Sequence, residues 1–144
     1  LGIGIGTPLL GYISNIVKSR TMVIHVSLVL GVMFLLGGIY LPKFNFDSLI
    51  LIHIVSFFIG FALSGSMLFF TIINENFPPQ VKGVAISVAN TGVFLFYSLA
   101  LFMPYIFTTS KVFYTSLWVL PTFIMISILV LYFIKEPYSN IKET

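Results

Sequence analysis

Long uncharged, mainly apolar stretches alternate along the whole chain with short polar interruptions. The uncharged runs cover residues 1–17, 21–42, 48–74, 83–110 and 112–134. A membrane-crossing helix needs about 20 mainly apolar residues, so each of the last four runs is long enough to span a bilayer and the first is borderline. Turn chemistry sets the boundaries. A partial span over about 1–13 carries Gly2, Gly4, Gly6, Pro8 and Gly11 and has the character of the exit half of a helix. Complete spans are predicted over about 21–41, 46–73, 80–107 and 112–134, with a polar tail at 135–144. Pro42-Lys43 stops the second span, Asn74-Glu75-Asn76-Phe77-Pro78-Pro79 ends the third, and Thr108-Thr109-Ser110-Lys111 separates the last two. A β-barrel would need strands alternating apolar and polar residues, and Phe57-Phe58-Ile59 and Ile126 to Ile134 do not alternate. The expected fold is an all-α membrane protein, a polytopic transmembrane helix bundle.

Composition agrees. Of 144 residues, 58% are hydrophobic and 8% charged, against about 25% charged in soluble domains. The net charge of +3 does not indicate nucleic acid, because the basic residues lie singly between apolar runs rather than on one face. With no cysteine, there is neither a disulfide framework nor a thiolate metal site. Leu1 opens inside an apolar run without the basic start of a signal peptide, so the chain is expected to be the tail of something longer. Loops on the cytoplasmic side retain Lys and Arg. Lys18, Arg20, Lys82, Lys135 and Lys142 fall on one side, with Lys43 and Lys111 on the other. That asymmetry puts the C-terminus in the cytoplasm. Tyr12, Tyr40, Tyr105, Tyr114, Tyr132 and Tyr138 fall near span ends, where amphipathic rings sit at lipid headgroups, and Tyr97 is the exception.

Two polar turns carry the functional signal. Gly11-Tyr12-Ile13-Ser14-Asn15, followed by Arg20, occupies a helix-to-helix turn on the predicted cytoplasmic side. A glycine there permits close helix approach, and the arginine can reach helix-end carbonyls. This segment resembles the Gly-x-Leu-Ala-Asp-Arg-x-Gly-Arg-Arg signature of the major facilitator superfamily of secondary transporters. Gly11, Ser14 and Arg20 fit, whereas Asn15 stands where the family has Asp, Lys18 where it has Gly, and Ser19 where it has Arg. The second turn, around Glu75, Pro78, Lys82 and Gly83, resembles the family's loop between helices 10 and 11. One helix hairpin separates the two turns, as in the family. The resemblance implies a partial C-terminal half of a major facilitator fold, from the end of helix 8 through helix 12. The run ending at Asn90 is most similar to bacterial organic-anion and phagosomal amino-acid permeases.

Four residues are candidates for a substrate cavity. Asn90 lies about ten residues into the fourth span and hence roughly 15 Å deep, near the midplane where secondary transporters bind substrate. Phe94 and Tyr97 share its i, i+4, i+7 face, which offers an amide, an aromatic wall and a phenol to one ligand. Their competing reading is helix packing. His53 in the third span is the fourth candidate; an ionisable group there faces a cavity or a partner, although a neutral packing histidine is favoured because no acid lies inside any span. His25 lies close to the interface and carries little functional weight. Ser56, Gly60 and Ser64, and also Gly83, Ser87 and Thr91, recur every four residues, which favours close helix packing. Pro104 and Pro121 are expected to kink their spans.

Catalytic inventory is thin. Gly2, Gly4 and Gly6 miss the dinucleotide-binding spacing, and neither paired acids nor metal-ligating His clusters occur within a span. No enzyme activity, cofactor or metal is expected. The family resemblance implies alternating-access transport of a small solute, with the lipid bilayer, the substrate and a missing N-terminal half as partners, and an inner-membrane location in a bacterium. The fragment alone is expected to be inactive. The alternatives are a non-transporting membrane assembly or scaffold subunit and a truncated inactive product.

Overall fold

The computed structural model describes residues 1–41, 48–107, 117–134 and 136. Among the described residues six α-helices follow one another: α1 (Gly2–Val17), α2 (Arg20–Tyr40), α3 (Leu49–Leu63), α4 (Leu68–Asn76), α5 (Pro79–Phe107) and α6 (Val119–Leu131). A 3₁₀ turn, Ser64–Met67, joins α3 directly to α4. No strand occurs among the described residues. The all-helical expectation is therefore met.

Among the described residues three helical stretches are long and apolar enough to cross a membrane: Arg20–Tyr40, Leu49–Asn76 and Pro79–Met103, with mean hydropathies of 2.4, 2.1 and 1.8. Gly2–Val17 and Val119–Leu131 are apolar but shorter. The sequence predicts four complete spans, and the fourth of these, 112–134, is described as a helix only from Val119. The expected stop at Pro42-Lys43, the first residues of the 46–73 span, the turn at 108–111, Tyr114, Tyr138 and the tail beyond Glu136 lie outside the described residues.

Local chemistry accounts for the boundaries. Lys18 ends α1 in the left-handed region, φ 54°, and Ser19 begins α2 by accepting a hydrogen bond from the Met22 N–H at 3.2 Å. Phe77 is extended, as a residue before proline must be. Pro79 then opens α5, where its missing N–H is not needed. Pro121 falls in the first turn of α6, where the same holds, so it starts a helix rather than kinking one.

α2 lies at the centre, packed on α1, α3, α4 and α6, while α5 lies at the edge against α4 and α6. Val23, Ile24, Leu28, Leu68, Ile72 and Leu131 form the core. Close approach of α1 to α3 depends on glycines: a Cβ on Gly2 would lie 2.8 Å from the Phe61 nitrogen, and one on Gly6 would lie 2.8 Å from the Phe61 carbonyl oxygen and overlap Ser64. Of Ser56, Gly60 and Ser64, the last two lie against α1, as expected, whereas Ser56 is exposed. Gly83 and Gly11 make no such contact, since a Cβ on either meets nothing within 4 Å. For Gly11 this corrects the expected close helix crossing; the crossing has moved to Gly2 and Gly6, where α3 lies alongside.

Candidate functional site

At one end of the bundle the two polar turns come together. Ser14 is fully buried in the last turns of α1, and its hydroxyl donates to the Gly11 carbonyl at 2.7 Å. Arg20, the first residue of α2, is only 7% exposed. Its Nη1 donates to Ser14 Oγ, its Nη2 to Glu75 Oε1 at 2.8 Å, and its Nε to Glu75 Oε2 at 3.4 Å. Glu75 belongs to the last turn of α4 and keeps about a third of its side chain exposed. One guanidinium therefore ties together α1, α2 and α4. By the helix dipole alone both charges are misplaced, a cation at an N-terminus and an anion at a C-terminus. Each is held by the other.

A second carboxylate closes the cluster. Glu136, just beyond α6, accepts from the Arg20 N–H at 3.0 Å, the Thr21 N–H at 2.9 Å, the Ser19 hydroxyl at 2.8 Å and the Thr21 hydroxyl. It supplies the anion that α2 lacks, since no acid lies in the helix's own first turn. Burial pushes its carboxyl upward, yet the donors from Thr21, Arg20 and Ser19 together outweigh burial and hold it below the ordinary glutamate range. Nearby, His25 Nδ1 bonds the Thr21 carbonyl at 2.9 Å and its ring meets Tyr132 at 4.7 Å. At the opposite end Trp118 Nε1 donates to the Tyr40 hydroxyl at 3.1 Å.

Of the sequence-predicted switch residues, Gly11, Ser14 and Arg20 share this cluster with Glu75 of the second turn, and Asn15 lies on the exposed face of the first turn. Pro78 immediately precedes α5, its carbonyl accepting from the Val81 and Lys82 N–H groups at 3.1 and 3.2 Å. Lys82 is half-buried and Gly83 exposed. The cavity candidates are not gathered. Asn90 is exposed, as are Phe94 (64%) and Tyr97 (62%), on a helix with no buried residue between Pro79 and Met103. His53 is exposed and bonded only along its own helix, Nδ1 to the Leu49 carbonyl at 2.6 Å. No acid among the described residues is ion-paired with it.

The sequence did not single out Glu136. Its signal is indirect: α2 opens with an arginine and no acid, so an anion from elsewhere must meet its N–H groups. The structure also holds an apolar groove of about 450 Å³ between α1, α2 and α3, and none of the four cavity candidates lines it. Among the described residues, no three His, Asp or Glu side chains gather where they could hold a metal ion. Comparison with known proteins finds no matching family model, no matching curated protein and no matching solved structure.

Proposed function

We propose that this chain works as part of a secondary transporter of major facilitator type, moving a small solute across a bilayer by alternating access, with the Arg20 cluster as a latch on one of its two states. The observation that carries this reading is the meeting of Ser14, Arg20 and Glu75, because it joins the two turns that resemble the family's loops. Arg20 is buried and always charged, so it needs an acid. Glu75 is partly exposed at a helix end, so it can exchange that contact for another as helices rock. The polar cluster would lie at the cytoplasmic face of a bacterial inner membrane.

The face of α5 bearing Asn90, Phe94 and Tyr97 supports the same reading. An amide near the middle of a membrane helix needs a partner or a wet cavity, and among the described residues that face is open. An N-terminal complement would supply the opposite wall. A non-transporting assembly subunit would also cover α5, but would hold it in one state.

Thiol accessibility separates the two. Phe94→Cys, introduced into this cysteine-free chain joined to its complement, should react with impermeant reagents applied from either side of the membrane, and Arg20→Gln should shift the ratio of the two rates. Reaction from one side only, unchanged by Arg20→Gln, would overturn the latch and leave the assembly subunit.

A further inference from the structure

The groove between α1, α2 and α3 has a chemical character of its own. Leu10, Ile13 and Val17 of α1 form one wall, and Met22 and Val26 of α2 form the rim of the other. Ser27 is the polar residue of the lining, and its hydroxyl is turned away: a Cβ on Gly65 would overlap Ser27 Oγ, so that oxygen points into the contact with the 3₁₀ turn. An occupant would meet hydrocarbon and little else. Val17, Met22 and Val26 are exposed, so the groove opens sideways rather than into the core.

Its length and its mouth are specific. The groove follows α2 from Met22 to Phe34, roughly 18 Å at 1.5 Å per residue, which matches the depth of one leaflet, about half of the 30 Å hydrocarbon core. Val17 and Met22 flank the α1–α2 turn, so the groove begins where exposed Lys18 stands. The two described acids are otherwise engaged, Glu75 with Arg20 and Glu136 with the start of α2. No carboxylate among the described residues pairs with Lys18. A cation at the mouth, an apolar trough below it and the depth of one leaflet together select one ligand class. We infer that the groove holds an acyl chain of an anionic phospholipid whose phosphate pairs with Lys18. The inference rests on residence in a membrane and not on transport.

The chain has a single tryptophan, so quenching by bromine-labelled lipid can test this. In a Trp118→Phe background, Val26→Trp reports the groove and Met125→Trp, on the exposed face of α6, reports bulk lipid. In nanodiscs, Val26→Trp should be quenched by brominated phosphatidylglycerol about fivefold more effectively than by brominated phosphatidylcholine, the effect of one basic side chain on an anionic lipid. Lys18→Gln should abolish that preference, and Met125→Trp should show none. The unsubstituted chain in native mass spectrometry should retain phosphatidylglycerol that Lys18→Gln releases. Equal quenching by both lipids at Val26→Trp overturns the inference. Quenching at Met125→Trp alone means that protein fills the groove, and quenching at neither site rejects membrane residence itself.

Discussion

Arg20 and Glu75, on opposite sides of a helix hairpin, meet through a 2.8 Å contact between Nη2 and Oε1 at one end of the bundle. Breaking a fully buried pair costs about 3–5 kcal/mol. Glu75 is partly solvated, so the coupling here should be smaller, on the order of 1–2 kcal/mol. A double-mutant cycle of Arg20→Met and Glu75→Leu, read by thermal unfolding in detergent, should return that coupling. Additive single effects would mean that the pair contributes no more than a surface contact.

The Glu136 carboxylate gives a pH dependence whose sign follows from its donors. Its folded-state pKa lies below the ordinary value, so its contribution is complete above the ordinary glutamate range, about pH 4.3, and is lost as pH falls through the lowered folded value. Glu136→Gln should reduce the melting temperature at neutral pH and flatten its fall on acidification. An acid-limb slope unchanged by Glu136→Gln would place the responsible proton elsewhere.

Two glycines on one helix should respond oppositely. Gly6→Ala drives a methyl to 2.8 Å from the Phe61 carbonyl oxygen and into Ser64, an overpacking of about 1–3 kcal/mol. Gly11→Ala meets open space and gains up to about 1 kcal/mol of helix propensity. Thermal unfolding of the two variants should therefore shift in opposite directions.

Lys18 holds a left-handed backbone at φ 54°, a conformation costing about 1–2 kcal/mol for a residue with a Cβ. The resemblance puts a glycine at this position. Lys18→Gly should raise thermal stability, and it should do so while losing the phosphatidylglycerol preference together with Lys18→Gln. No gain in stability would show that the turn relaxes around lysine without strain.

Orientation can be read by labelling single cysteines in the tail and at the far turn. Ser139→Cys should react only from the cytoplasmic side and Ser110→Cys only from the other, because the basic residues favour that arrangement. Reaction of both from one side would mean that the last apolar run does not cross the membrane, and exchange of the two sides would reverse the orientation.

Helix existence and several helix ends were legible in the sequence because each depends on local chemistry: apolar run length for α2 and α5, and Phe77 before Pro78 at the end of α4. The polar cluster around Arg20 was half legible. Ser14, Arg20 and Glu75 stood out as turn residues, but nothing local states that a carboxylate beyond α6 returns to the start of α2. Gly11 was misjudged because a glycine's spacing indicates where close approach is permitted, whereas the partner's position decides where it happens. The groove arises between three helices and has no linear signature.

The 3₁₀ turn Ser64–Met67 has a consequence for how Glu75 is aimed. A 3₁₀ segment winds three residues per turn instead of 3.6, about 20° more per residue, and rises roughly 2.0 Å instead of 1.5 Å. Four such residues rotate everything after them by about 80° and advance it by roughly 2 Å. Rewinding those residues as regular helix would carry the Glu75 carboxylate around its axis like the hand of a clock, off the guanidinium and toward another bearing. The tighter winding by which one long helix changes pitch thus also sets the hour at which its acid points to Arg20.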